Sequence, residues 1–362
     1  KSVDVIRQVY FARMCPKLGQ YYFKEKKEVR EITYRINKPV LFDNYLNLCP
    51  EIKQTYKPYV SFPEAIKSKV QLMLNHILEA LCSGNQESYS FMVRWFANMI
   101  KGNRNNSCIY LKGVQGVGKS TVVDFIRDHV VGQDLTCNTG SAPLKQRFNS
   151  ELSGKMLVLF EELENFSSSE WITISSVLKR LITSSILKIE SKGKDPHEEP
   201  NLNNYILLSN NDAIQDDDGR RYFIADVSNK FVGNKNYFDK LYTCFNDDVG
   251  QAFYSYLMEV DTTNFNPQMF PVTQSKLDSF SKRLDSVYKF IKTNFIFKNI
   301  GIDRITVTDI YDLYKTFCEN EGVAKPKTKI DFNASLKNVC IDYYKTNGQL
   351  VYKESLETLK AI

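Results

Sequence analysis

The sequence predicts an α/β protein: a P-loop core, with a helical subdomain before it and a winged-helix-like module after it. Three stretches carry that expectation. The apolar run Ile109–Leu111 enters Gly113-Val-Gln-Gly-Val-Gly-Lys-Ser120, and Val122, Val123, Phe125 and Ile126 then recur on a helical period. A second apolar run, Met156–Phe160, closes on the acidic pair Glu161-Glu162. Residues 303–362 read as helix, helix and hairpin, the order of a winged helix-turn-helix module.

Composition frames these stretches. A chain of 362 residues suffices for two or three domains, and 43% hydrophobic with 25% charged residues is ordinary for a globular protein. No run has the apolar length of a membrane span and no signal peptide opens the chain, so an intracellular protein without a membrane partner is expected. The 8 cysteines and 3 histidines are scattered, which supports neither a zinc site nor a disulfide framework. A net charge of +6 permits nucleic-acid binding without arguing for it. The first residue is Lys1 rather than Met, as in a piece of a longer protein.

Residues 1–62 mix basic runs such as Lys24-Glu-Lys-Lys27 with aromatics and are punctuated by Pro39, Pro50 and Pro58; a linker from an upstream region, or a strap over the core, is expected. Residues 63–104 read as a helical subdomain. Ile66, Val70, Leu72, Met73, Ile77 and Leu81 keep helical spacing, and after Ser83-Gly-Asn-Gln86 so do Tyr89, Phe91, Met92, Trp95, Phe96 and Met99. These aromatics are expected in the core.

The stretch from Gly113 to Ser120 fits the pattern G-x-x-x-x-G-K-[ST], and the flanking strand and helix separate it from a chance match. Glycines let backbone N–H groups approach a phosphate, and the helix start adds unpaired donors and a positive dipole end. The candidate ATP-binding set is therefore Gly113, Val114, Gln115, Gly116, Val117, Gly118, Lys119, Ser120 and Thr121. Lys119 would reach the β- and γ-phosphates and Ser120 would ligate Mg²⁺. Residues 132–154 are polar, and Lys145-Gln-Arg147-Phe148 reads as surface decoration. The strand ending at Glu161-Glu162 has the form of a Walker B element: Glu161 would hold the Mg²⁺ through water, and Glu162 would orient the attacking water.

Ser167 and Glu170 form a capping box that opens a helix through Leu181. Residues 185–190 read as a strand, residues 191–200 as a turn-rich segment and Tyr205–Ser209 as a second strand. The expected form is a hairpin with Lys192, Lys194 and His197 near its tip. Asn210, at the end of the second strand, is placed to hold the water facing a γ-phosphate. Arg220 and Arg221 precede an apolar strand, Phe223–Val227, as an arginine finger or a basic strand edge. Residues 235–262 read as helical, 264–271 as a boundary and 277–295 as a further helix. The tail then offers helices over 307–319 and 332–340 and an Asn-Gly hairpin turn at 347–348, a module that would bind DNA or dock a protein.

The spacing from Lys119 to Glu162, to Asn210 and to Arg220-Arg221 resembles the superfamily 3 helicases of viruses and plasmids, whose ATPase is a compact AAA+ domain. More narrowly it is similar to the poxvirus-type primase-helicase group. The helices leading into the glycine turn, Lys188-Ile-Glu-Ser-Lys-Gly-Lys194 ahead of Ile206–Asn210, and Gly219-Arg-Arg-Tyr222 carry the likeness. It implies an AAA+ ATPase domain over 105–270 and a C-terminal helical and winged-helix-like domain over 271–362. It further implies a hexameric ring of identical subunits that pulls single-stranded DNA through its centre, in a host-cell or viral replication setting. ATP and Mg²⁺ would sit between subunits on Lys119, Ser120, Glu161 and Glu162, with Asn210 as sensor and Arg220 or Arg221 reaching in from a neighbour. Lys192, Lys194 and His197 would contact DNA. The pair Glu161-Glu162 departs from the Asp-Glu of many ATPases. A primase or polymerase would act upstream of Lys1 or as a separate partner. An RNA-directed helicase and a nucleotide-gated assembly platform are the alternatives.

Overall fold

The structure is a computed structural model that describes residues 31–33, 35–38, 41–42, 45–47, 49–163, 166–210, 214, 220–283, 285–323 and 325–361. The basic run Lys24–Lys27, Asn211 and residues 216–219 lie outside the described residues. The chain divides into two compact units, 1–276 and 277–362.

In the first unit, β1 (Glu31–Thr33), β2 (Leu41–Phe42) and β3 (Tyr45–Asn47) form a small sheet in the order β1-β3-β2. Buried Asn47 ties it together, accepting from the Arg35 amide at 2.8 Å and donating to the Lys38 carbonyl at 2.9 Å. Residues 51–62 then cross the core as a strap. The Lys53 amide donates to the Val131 carbonyl at 2.9 Å, and the Tyr59 amide to Glu259 Oε1 at 2.7 Å.

Helix α1 (Glu64–His76) runs without a break into a π-helical turn, Ile77–Leu81, and α2 (Gln86–Ile100) starts at Asn85, whose side chain accepts from the Ser88 amide. Phe91, Met92, Trp95, Phe96 and Met99 are all buried. There follow β4 (Cys108–Lys112), α3 (Lys119–Phe125), β5 (Thr136–Thr139), α4 (Ala142–Lys145), β6 (Leu157–Phe160), α5 (Ser168–Thr183), β7 (Ile186–Ile189), β8 (His197–Pro200), β9 (Asn204–Ser209), β10 (Tyr222–Asp226), α6 (Lys235–Tyr242) and α7 (Asp247–Glu259). Five of these strands form one sheet in the order β10-β4-β9-β6-β5, every neighbouring pair parallel.

A parallel sheet must be covered on both faces, and the strand residues sort accordingly. Ile109, Leu111, Leu157, Leu159, Ile206 and Leu208 join one apolar cluster with α1, α2, α3 and α7. Tyr110, Val158, Phe160, Tyr205 and Leu207 join another with α5. The capping box at α5 is present: the Glu170 amide donates to Ser167 Oγ at 3.3 Å and the Ser167 amide to Glu170 Oε2 at 2.9 Å.

Two sequence expectations need correction here. The polar stretch 132–154 contains β5, which pairs with β6 from Thr136↔Leu157 to Thr139↔Phe160. An edge strand needs backbone hydrogen bonds on one side only, so Thr136-Cys-Asn-Thr139 joins without an apolar run. The hairpin is also built differently. The partner of β7 is β8, running antiparallel from Ile186↔Pro200 to Ile189↔His197, whereas β9 belongs to the central sheet. His197 therefore lies within a strand, and Lys192 and Lys194 occupy the turn.

The second unit contains α9 (Ser286–Ile291), reached through α8 (Gln274–Arg283), then α10 (Val307–Asn320), α11 (Lys329–Asn338), β11 (Tyr343–Thr346), β12 (Gln349–Tyr352) and α12 (Leu356–Ala361). The single helix expected over 277–295 is thus two, because Asp285 caps a new start by accepting from the Val287 amide at 3.0 Å. Thr328 likewise caps α11, which opens earlier than the expected Phe332. Asn347 at φ 48° and Gly348 at φ 79° make the primed hairpin turn. Val351 also bridges back to Thr306, ahead of α10. Phe290, Tyr314, Phe332, Leu336 and Tyr352 form the core of this unit. Among the described residues no helix is long and apolar enough to cross a membrane.

The start of the central sheet rests on one amide. Asn204 Oδ1 accepts from the Asn105 backbone amide and from Asn105 Nδ2, both at 2.9 Å, in a buried position. Replacing Asn204 with Leu orphans the buried Asn105 backbone amide and leaves Asn105 Nδ2 only the Trp95 carbonyl at 3.1 Å, so urea unfolding should show a loss of about 1–3 kcal/mol. A loss below about 0.5 kcal/mol would mean that these donors find other partners.

Candidate functional site

The site lies at the carboxyl ends of β4, β9 and β6, where open parallel sheets receive ligands. Beyond β4 the chain turns through Gly116 at φ 83° and Gly118 at φ 86°, left-handed angles that L side chains rarely adopt. Gly118 is required for space as well: a Cβ there would lie 2.7 Å from His76 Cε1 and 2.9 Å from Phe238 Cε1. Gly118 is also the N-cap of α3 and has no capping side chain. Buried Val117 anchors the turn, while Val114 is half-exposed.

A cavity of about 380 Å³ opens above this turn. It is lined by residues 115–121, by Glu161 and Glu162, by Leu208, Ser209 and Asn210 at the end of β9, and by Phe238 and Tyr242 of α6. Gly113 and Val114 stand outside the lining. The Gly113 amide donates to the Ser209 carbonyl at 3.2 Å, which ties the turn to β9. Lys119 Nζ donates to the Gly113 carbonyl, to the Val114 carbonyl at 2.9 Å and to Asn210 Oδ1 at 2.9 Å. Burial holds the Lys119 pKa below the usual lysine range.

The acidic pair is shaped by its backbone. The Glu161 amide donates to the Thr139 carbonyl at 2.8 Å, which extends β6 by one residue. Glu162 then adopts φ 50°, a left-handed angle that costs a non-glycine residue about 1–2 kcal/mol. Beyond it the Leu163 amide donates to the Leu208 carbonyl at 3.2 Å and Ser209 Oγ donates to the Leu163 carbonyl at 3.1 Å. Both carboxylates therefore line the cavity while the chain is drawn back against β9.

Sequence reasoning missed four residues here. Asp124 lies one helical turn after Ser120 and is hydrogen-bonded to the Ser120 side chain. Burial pushes the Glu161 carboxyl pKa up, Asp124 and Glu162 add to the rise, and Arg127 opposes it. Burial likewise raises the Asp124 carboxyl, against Arg127 at 2.9 Å. The i, i+4 spacing from Ser120 was a usable signal for Asp124. Nothing local to the sequence marks Phe238, Tyr242 or His76, which long-range packing brings to the turn.

Other predicted residues lie elsewhere. Arg220 and Arg221 precede β10, and because Tyr222 pairs with Cys108 they occupy the edge of the sheet opposite the cavity. Neither lines it. Lys192 and Lys194 are exposed in the β7–β8 turn. His197 Nε2 lies 3.5 Å from Glu199 Oε2, a carboxylate buried against Ser153 and the Gly154 amide. The hairpin is fastened to the loop before β6 by Asn149, which accepts from the Glu190 amide at 2.8 Å, and by an Arg147–Glu190 ion pair. The segment read as surface decoration thus braces the hairpin.

Comparison with known proteins adds three findings. A family of unknown function (DUF5906) matches residues 111–221. The DNA Primase-polymerase of Nitratiruptor phage NrS-1 is 25% identical over 267 residues, 71% of this chain. The chain spans 36% of the length of that curated relative. The A form apo structure of the NrS-1 C-terminal region matches with a TM-score of 0.63 at 18% identity, over 90% of this chain and 84% of that one. A further apo structure of the region gives the same values. At that identity the likeness is one of fold.

Because the Glu161 and Asp124 carboxyls titrate above their usual values, the folded chain binds protons there more tightly than the unfolded chain. Stability is then lost as pH rises through that window. Glu161→Gln should raise the melting temperature of the ligand-free protein at neutral pH, and the gain should shrink toward about pH 4. A melting temperature unchanged at both pH values would contradict this electrostatic account.

Proposed function

We propose that this chain is the ATP-driven motor of a viral DNA-replication protein: a superfamily 3-type AAA+ helicase module that hydrolyses ATP between subunits of a hexameric ring and moves along single-stranded DNA. One observation carries the reading. The glycine turn, Lys119, Asn210 and the pair Glu161-Glu162 line a single cavity. Because β9 runs between β4 and β6, Asn210 stands between the lysine and the carboxylates, where a terminal phosphate and its attacking water would sit.

The chemistry follows from these positions. Lys119 would exchange its bonds to the turn carbonyls and Asn210 for phosphate oxygens. The Asn210 amide would then be released toward the water, and Glu162 would orient that water. The oxygen donors Ser120 and Glu161 suit Mg²⁺, which would neutralise phosphate charge when bound and offset the neighbouring Asp124, Glu161 and Glu162 carboxylates. Phe238 and Tyr242 give the cavity an aromatic wall suited to the base.

Arg220 and Arg221 lie at the far edge of the sheet, so they would serve the cavity of a neighbouring subunit, as a finger supplied in trans. Lys192 and Lys194 at the exposed hairpin turn would track DNA phosphates, with His197 behind them in β8. The likeness to the phage primase-polymerase supports a replication setting, with a primase or polymerase acting in cis or in trans.

The test is the ATPase rate with and without single-stranded DNA. Lys119→Ala should abolish nucleotide binding, whereas Glu162→Gln should retain it and slow turnover by about 100-fold or more. The double change Arg220→Ala and Arg221→Ala should lower the rate and also depress it when mixed with wild type. A rate indifferent to DNA that survives the arginine changes would overturn the ring-helicase reading, and stimulation by RNA alone would redirect it.

A further inference from the structure

We propose that His76 is a positioning residue for the glycine turn: its imidazole holds the Gly118 carbonyl from behind and thereby turns the Lys119 amide toward the nucleotide. This role rests on the nucleotide reading above. His76 closes α1 and is fully buried. Its Nε2 lies 3.1 Å from the Gly118 carbonyl oxygen and its Nδ1 lies 2.9 Å from Tyr237 Oη. A carbonyl only accepts, so Nε2 carries the proton and Nδ1 accepts from the tyrosine hydroxyl. Burial, which holds the His76 pKa below the usual range, favours that neutral tautomer.

The surroundings leave the ring little freedom. Tyr237 is stacked on Phe231 with ring centroids 3.7 Å apart, which fixes its hydroxyl against Nδ1. Phe238 meets the imidazole edge-on at 6.2 Å and also lines the cavity. The absence of a side chain at Gly118 is what admits both rings.

The consequence for the turn comes from peptide geometry. In a planar trans peptide the carbonyl oxygen and the following N–H point in opposite directions. The Gly118 carbonyl is drawn toward His76 and also accepts from the Thr121 amide at 3.3 Å. The Lys119 N–H therefore points away from His76, to the side on which Gly118 and Lys119 line the cavity. An amide aimed there binds phosphate in ground state and transition state alike, so its loss weakens binding more than turnover.

The experiment measures KM, kcat and melting temperature for the full chain carrying His76→Leu, His76→Gln or Tyr237→Phe. His76→Leu should raise KM for ATP about tenfold with kcat changed less than about twofold, the value of roughly one hydrogen bond. Glutamine, which can place an N–H near the Nε2 position, should recover KM to within about threefold of wild type. The proposal is overturned if folded variants keep the wild-type KM, or if Gln is no better than Leu and the losses simply follow the melting temperature. Should the Leu variant not fold, Tyr237→Phe decides: a raised KM supports the role and an unchanged KM removes it. Nitrogen-15 NMR of the imidazole gives a readout independent of activity: protonation at Nε2 is expected, and protonation at Nδ1 overturns the tie. A wild type that binds no nucleotide defeats the earlier reading and this role with it. That outcome is distinct from a wild type and variants that all bind equally.

Discussion

The register of β4 against β9 pairs Lys112 with Ser209, and the next amide, Gly113, donates to the Ser209 carbonyl at 3.2 Å. This pairing sets where the glycine turn leaves the sheet, and hence where Lys119 meets Asn210. A slip of one residue would exchange the two faces of the strand, moving Ile109 and Leu111 out of one core and Tyr110 into it. The packing of two separate apolar clusters against the two faces of the sheet therefore holds the polar geometry at its edge.

The edge itself is built against local preference. Gly116 and Gly118 sit at left-handed angles, Glu162 does so without being glycine, and Asp124, Glu161 and Glu162 gather negative charge at a partly buried spot. Glycine takes such angles without steric cost, so it is the Glu162 backbone and the gathered carboxylates that cost stability in the ligand-free chain. Concentrated at one cavity, they mark it as the candidate site. The surrounding structure carries that strain: β6 is buried along its whole length, and Leu163 is fastened to β9 immediately after the strained residue.

Much of the core was legible because its signals are local. A buried strand, a glycine turn and a helix lie within some twenty residues of one another, and the strands at 157–160 and 204–209 announce themselves by the apolar runs 157–160 and 205–208. In the second unit the helix over 307–320 and the Asn-Gly turn were legible for the same reason, whereas the new helix start at Asp285 and the last helix, α12, were not. Edge strand β5 was not, because pairing on one side requires no apolar pattern. The hairpin was misread because His197–Pro200 carries charged and turn-prone residues that resemble a loop, while β9 offers a more apolar but incorrect partner.

The sequence by itself determined which residues compose the candidate site: Gly116, Gly118, Lys119, Ser120, Glu161 and Glu162 stand in motifs whose spacing is set within single elements. Only the tertiary structure decided what surrounds them. His76 reaches Gly118 across 42 residues, and Phe238 and Tyr242 arrive from a helix more than a hundred residues away. Arg220 and Arg221, close to Asn210 in sequence, are sent to the opposite edge of the sheet by the direction of β10. Spacing along a chain encodes neighbours within a turn or a strand. Neighbours across the core depend on strand order and helix packing, which arise from the burial of the whole apolar surface and not from any one motif.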